Sequence, residues 1–302
     1  MDITRLITLN IFTKIAQTMP QELGAFKFVR RVFENQPEKT YDFALYQDEA
    51  GHFVLAKMWT GSIKNLDYYW LKNESEIYKA LAQTASKYEN INVSVPSYRG
   101  VFDISNSFIL LIDYLVEDRS GQDLSLDEFH CVQTYLHQIG SQIVGTQRVK
   151  SRAWWYFVLS GFVNMCICII RDPLYAVRYA RAYSALIKVL PQYHKESLVF
   201  THRDIKRENI VMQQGCLYVI DFQLAVFTNK YVEAANTIIH CLEKKRANTD
   251  FTHALIRQYL REGQESATYK AFAYYAVLYD QAVSRSSSTE ENRIFLNVVE
   301  RS

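Results

Sequence analysis

The apolar residues of this chain change period part-way along it, and that change limits the fold more than any other feature. Between Phe26 and Trp59 they alternate, in FKFVRRVFE, YDFALYQ and HFVLAKMW, with the turn-rich segments NQPEKT and DEAG between them. Alternate residues of a strand face one side, so the pattern predicts three antiparallel strands joined by hairpins. LDYYWLKNESEIYKALAQ then places Tyr69, Ile77 and Leu81 at helical spacing, so a helix follows the third strand. VSVPSYRGVFDI and SFILLIDYL supply two further strands. From Leu124 onward the period is helical for most of the remaining length. The expectation is an α+β chain: residues 1–115 with an N-terminal amphipathic helix and a five-stranded antiparallel sheet carrying one helix, and residues 116–302, mainly helical.

Composition narrows the class of partner. The 302 residues are 49% hydrophobic, enough to bury a large core, and a net charge of +2 is spread along the chain. No basic stripe of the kind that phosphate-backbone binding needs is present, so nucleic acid is not an expected partner. Five cysteines, an odd number without zinc-ligand spacing, read as reduced, buried thiols of a cytoplasmic protein. The opening segment MDITRLITLNIFTKIAQTMP lacks signal-peptide character, because Asp2 and further polar residues interrupt its apolar run. The apolar run from Trp154 to Ile170 spans 17 residues and contains Gly161 and Asn164. A membrane-spanning helix needs about 18 to 20 apolar residues, so a buried helix is expected, with peripheral membrane contact as the alternative.

One stretch breaks the helical pattern of the second half. In THRDIKRENIVMQQGCLYVIDFQLAV, Thr201 to Val226, short β-rich runs enclose a polar loop carrying His202, Arg203, Asp204, Lys206, Asn209 and Asp221. The His-Arg-Asp triplet, the asparagine five residues later and the Asp-Phe-Gln that follows resemble the catalytic loop and metal-binding segment of the protein-kinase-like phosphotransferases. Moving a phosphoryl group between oxygens leaves a protein little covalent work, so its side chains must position the acceptor and neutralise negative charge. The resemblance implies ATP as donor, Asp204 as the base that takes the acceptor hydroxyl proton, and Lys206 placed to reach the transferred phosphate. It also implies Asn209 and Asp221 as ligands of Mg2+, which prefers hard oxygen donors. The turn MQQGC brings Asp221 back beside Asn209.

The same resemblance asks for a lysine on the third strand and a glutamate on the next helix. Lys57 ends VLAK on that strand, and Glu74 lies in NESEIYKAL. A lysine ammonium there reaches the nucleotide phosphates and the glutamate fixes its direction. Glu76 competes, but Ile77 and Leu81 fall at i+3 and i+7 from Glu74, which favours Glu74 for the inward face. Asp113, Tyr114 and Leu115 occupy the hinge, with Asp113 and Leu115 on the nucleotide side.

The departures decide which branch of the superfamily is resembled. NQPEKT contains no glycine where a glycine-rich phosphate loop is expected, with Lys39 or Thr40 as a substitute; Leu55 stands where protein kinases have alanine against the adenine. Gln223 replaces the glycine of Asp-Phe-Gly, and no Ala-Pro-Glu follows. The chain is therefore most similar to the aminoglycoside phosphotransferase group, which implies a small-molecule hydroxyl acceptor: a sugar, an aminoglycoside or an amino alcohol. HRDIKREN is close to the Ser/Thr protein-kinase form, so a protein acceptor is the first alternative; a catalytically inactive binding module is the second. Aromatic residues between Leu124 and Gln192 are expected to pack a core, with stacking on an acceptor as the other use.

Overall fold

The computed structural model describes residues 19–32, 40–84, 92–118, 124–143, 155–188 and 198–229, together with 233–234, 236–237, 250–251, 254–255 and 257–258. The expected N-terminal helix, the loop NQPEK and Cys241 lie outside the described residues. The chain forms two compact units. The first comprises Met1–Gly121, Gln142–Gln147 and Glu208–Leu224, and the second Gln122–Ser141, Arg148–Arg207 and Ala225–Ser302. Relative to a division at residue 115, the hairpin that carries Asp221 groups with the first unit.

The first unit is built on a six-stranded antiparallel sheet. Its strands are β1 (Glu22–Leu23), β2 (Phe26–Val32), β3 (Asp42–Gln47), β4 (Phe53–Thr60), β6 (Tyr98–Ile104) and β7 (Ser107–Asp113), in the order β1-β2-β3-β4-β7-β6. The sheet has one strand more than expected, because Gly24 at φ +62° turns the chain tightly enough for two residues to pair with Phe26 and Lys27. A two-residue strand has no period to read. The run from Val93 to Ile104 is also two strands rather than one. Pro96 splits it, since proline has no N–H to donate. The short β5 (Val93–Ser94) pairs in parallel with β10 (Cys216–Val219), which is antiparallel to β9 (Ile210–Gln213).

Alternation sorts the main sheet into two faces. Ala44, Tyr46, Val54, Ala56, Met58, Ile109 and Leu111 form one core cluster with Met19 and Leu23. Lys57, in register between Phe43 and Leu110, therefore points to the opposite face. Helix α1 (Leu66–Thr84) packs on that face, where Tyr68 meets Trp59 and Phe108 edge-on at ring separations of 5.0 and 5.5 Å. Asn65 caps it: its side-chain oxygen accepts the Tyr68 N–H at 3.1 Å and the Trp59 indole N–H at 2.8 Å. Leu71, Glu74, Ile77, Tyr78 and Leu81 form the buried stripe.

In the second unit, α2 (Leu126–Ile143) begins with a reciprocal capping box. The Ser125 N–H donates to Glu128 at 2.8 Å, and the Glu128 N–H to the Ser125 hydroxyl at 3.2 Å. Phe129, Val132, Leu136, Ile139 and Ile143 make its buried stripe. Gly140 lies so close to β8 (Leu198–Thr201) that a methyl group there would sit 2.3 Å from the Phe200 Cβ. β8 pairs with β11 (Val226–Asn229) rather than with the hairpin between them. Two further helices, α3 (Trp155–Arg171) and α4 (Ala176–Lys188), pack together around Cys168, Tyr179 and Ala182. α3 is not the fully buried helix expected: Leu159, Phe162, Val163 and Ile170 are exposed. No described helix is long and apolar enough to cross a membrane. The four described cysteines are free, yet only Cys168 is buried, and Cys131 is exposed because it faces away from the α2 stripe.

Candidate active site

Among the described residues of the first unit, a charge cluster joins three elements that are distant in sequence. The Lys57 ammonium donates to Glu74 Oε2 and to Asp221 Oδ1, both at 2.7 Å. Burial alone would lower the lysine's pKa, but the Asp221 and Glu74 carboxylates outweigh it and hold the ammonium above its ordinary range. Burial pushes the Glu74 carboxyl upward while Lys57 pulls it back. One ammonium against two carboxylates leaves the cluster with a surplus negative charge, which suits a cation beside Asp221. Glu76 is exposed on the outer side of the same helix.

Helix α1 fixes Asp221 as well as Glu74. Directly after Asp221, Phe222–Leu224 make a short 3-10 turn whose buried Phe222 ring meets Tyr78 edge-on at 5.3 Å. The Asn73 amide donates to the Gln223 carbonyl at 3.4 Å. Asp221 itself adopts φ +67°, a left-handed conformation that costs a non-glycine residue energy and recurs at functional sites. The hairpin before it explains its approach to Asn209. Gln214 and Gly215 turn with φ +51° and +74°, a pair of signs that matches strand twist. Val219 then pairs with Ile210, and the Ile220 N–H donates to the Asn209 carbonyl at 3.0 Å. Asn209 is buried at the end of the 3-10 turn Arg207–Asn209.

A cavity of about 200 Å³ opens beside the cluster, lined by Thr40, Tyr41, Phe43, Lys57, Asp67, Trp70, Asp221 and Gln223. Sequence reasoning passes over Tyr41. Its ring lies 4.7 Å from the Lys57 ammonium, and its hydroxyl donates to the Asp67 carbonyl at 2.9 Å. Burial, reinforced by Glu74, Asp67 and Asp221, drives that hydroxyl far above its usual pKa, so it stays a donor. Tyr41 thus ties the start of β3 to the start of α1 across the lysine. The signal for it is positional: an aromatic directly after the glycine-free loop, two residues before the strand position that pairs with Lys57. Lys39, one of the two substitutes expected for a glycine, lies outside the described residues; Thr40 is exposed at the cavity rim.

Asp113 and Leu115 lie elsewhere in the first unit. Asp113 pairs with Val54, about 10 Å along β4 from Lys57, and its carboxylate meets the Arg99 guanidinium at 2.5 Å. Leu115 follows the end of β7, half-buried.

In the second unit the loop after β8 is organised by backbone contacts. His202 is fully buried, and its N–H donates to Glu233 Oε2 at 2.5 Å. Burial pushes the Glu233 carboxyl up to about 7, against the opposing pull of the Arg203 and His202 N–H groups. Thr237 donates to the Ile205 carbonyl at 3.0 Å, a second tie from the same segment. Arg203 adopts φ +66°. Asp204 and Lys206 face each other at 2.6 Å, so the lysine expected to reach phosphate is engaged by the expected base. Glu233 and Thr237 are missed by sequence reasoning, although Glu233 is a lone charge in the run VEAANTIIH.

Residues 71–275 match the phosphotransferase enzyme family, a span that holds Glu74, the loop after β8 and Asp221. The chain belongs to that family. Its fold is that of the protein-kinase-like superfamily, aminoglycoside phosphotransferase group. The chain is similar to the aminoglycoside phosphotransferase from Alicyclobacillus acidocaldarius subsp. acidocaldarius DSM 446, with TM-score 0.50 and 11% identity over 97% of this chain and 95% of that one. It is also similar to a protein of Haemophilus somnus 129PT assigned as a fructosamine-3-kinase, with TM-score 0.51 and 13% identity over 91% and 92% of the two chains. At such identities the likeness is one of fold. A curated relative, an uncharacterized protein of Metamycoplasma hominis, is 34% identical over 70 residues, 23% of this chain and only 13% of that protein's length.

Proposed function

We propose that the protein transfers the γ-phosphoryl group of ATP to a hydroxyl of a small molecule. The observation that carries this reading is Lys57 held between Glu74 and Asp221, both at 2.7 Å and one of them 164 residues away in sequence. A lysine so fixed offers its ammonium to phosphate oxygens without the entropy cost of ordering a free side chain. In this reading Asp204 orients the acceptor hydroxyl and takes its proton as the oxygen bonds to the γ-phosphorus and the bond to the departing ADP breaks. Lys206, paired with Asp204, steadies that carboxylate and offers charge to the transferred group. Asp113 and Leu115 bound the nucleotide's base at the end of β7.

Asn209 and Asp221 would hold Mg2+. An amide oxygen and a carboxylate are hard donors, and among the described residues no three His, Cys, Asp or Glu side chains gather as a self-sufficient metal site, so the remaining ligands would come from phosphate and water. The ion supplies neutralisation of charge developing on the phosphates. The first unit is the nucleotide lobe of this reading and the second carries the acceptor-activating loop. A cytoplasmic location, in keeping with reduced thiols, is part of this proposal.

A screen of sugars, aminoglycosides and amino alcohols with a coupled ADP assay tests the proposal. Turnover with one class, reduced about 10²- to 10⁴-fold in Asp204→Ala, is the expected result. Turnover unaffected by Asp204→Ala removes the assignment. The Asp204–Lys206 pair keeps a protein acceptor as a second reading, and label from ATP on protein bands rather than on metabolites would select it.

A further inference from the structure

The helical pair of the second unit leaves large aliphatic side chains exposed. On α3, Leu159, Phe162, Val163 and Ile170 are exposed, Ile170 to 79%. Their spacing puts them on one side of the helix, opposite the buried Asn164 and Cys168. In the short 3-10 turn Pro173–Tyr175 that follows, Leu174 is 92% exposed, and on α4 Val177 and Ile187 are 65% and 40% exposed. By the same helical count, the outward side of α4 also carries the exposed Arg181 and Lys188, while Tyr179, Ala182 and Leu186 are buried. Residues 155–188 contain four basic residues, Arg171, Arg178, Arg181 and Lys188, and a single acid, Asp172.

Large aliphatic side chains left this exposed in a cluster mark a contact surface. The charge beside them names the partner. A second copy of the chain, docked through the same face, would bring two sets of cations together and repel. Aliphatic tips set among cations on the outward side of a helix match instead the boundary between phosphate headgroups and acyl chains. Since no described helix can cross a bilayer, the contact is with its surface.

We propose that α3, the turn at Leu174 and α4 seat the protein on an anionic bilayer. Ile170, Leu174 and Val177 enter the acyl boundary, and Arg181 and Lys188 meet the lipid phosphates.

Flotation of the full chain with vesicles of phosphatidylcholine alone, and of phosphatidylcholine with phosphatidylglycerol, tests this. The wild type is expected to rise with the anionic vesicles and stay below with the neutral ones, and added salt is expected to weaken the binding. The double variants Ile170→Glu with Leu174→Glu, and Arg181→Glu with Lys188→Glu, should each lower the bound fraction about tenfold or more. Melting curves establish that each variant is folded; Leu174→Ser and Arg181→Ser serve if a double variant does not melt cooperatively. A wild type that fails to float, floats equally with both vesicles, or floats no better than the folded variants overturns the proposal. So does an oligomer, seen by sedimentation, that Leu174→Glu dissolves while the wild type leaves vesicles unbound.

Discussion

The lysine cluster of the first unit and the loop after β8 in the second are held by opposite means. Lys57 is fixed by charge, through two carboxylates 17 and 164 residues away. The loop is fixed by its backbone, through Glu233 and Thr237, while its charged side chains pair locally, Asp204 with Lys206. Charge can secure the first because burial raises the worth of each contact. The second leaves the Asp204 carboxylate partly exposed.

Removing the charge should therefore break the first region most. Lys57→Met leaves two carboxylates facing each other without a cation. Phosphotransfer is expected to fall about 10²- to 10³-fold and urea stability by about 3 to 5 kcal/mol; steady-state kinetics near the wild type would show that the cluster plays no part in catalysis.

Packing governs the second region, so Gly140→Ala is the next perturbation. The added methyl group meets the Phe200 backbone and side chain at 3.3 Å or closer, and helix and strand must separate. A loss of about 1 to 3 kcal/mol is expected in chemical denaturation.

Glu233 gives the second region a pH dependence of its own. Its carboxyl is raised from the ordinary 4.5 to about 7 by burial, so the protonated form favours the fold. The stability this contributes is fully present below about pH 4.5 and is lost as pH rises through 7. The wild type should lose about 3 kcal/mol more than Glu233→Gln between those limits. Parallel curves of unfolding energy against pH would contradict the assignment.

The smallest effect is expected at Tyr41. Tyr41→Phe removes only the hydrogen bond to the Asp67 carbonyl, about 1 kcal/mol, and should raise the KM for ATP a few-fold with kcat little changed. Tyr41→Leu also strips the ring from the ammonium and should raise KM further. Equal KM values in all three proteins would reduce Tyr41 to ordinary packing.

What could be read before folding follows the range of the interactions. Period two places β2, β3 and β4, a short continuous apolar run places β7, and helical period separates Glu74 from Glu76, because Ile77 and Leu81 lie on Glu74's side of α1. The turn at Gln214 and Gly215 is equally local. By contrast, Val93–Ser94 leaves the main sheet for a partner more than 120 residues on, and no local pattern encodes that choice. Tyr41 and Glu233 escape for the same reason: each acts on a residue remote in sequence, and neither belongs to a motif. The exposed side of α3 was hidden by its composition, since a helix apolar all round reads as buried.

Calorimetric titration of Mg-ATP is the most direct measure of the central claim, that Lys57, Glu74 and Asp221 form a nucleotide phosphate site. Binding to the wild type is expected, with affinity weakened about tenfold or more in Asp221→Ala. Absence of binding to the wild type, or equal affinity in the two proteins, would contradict it.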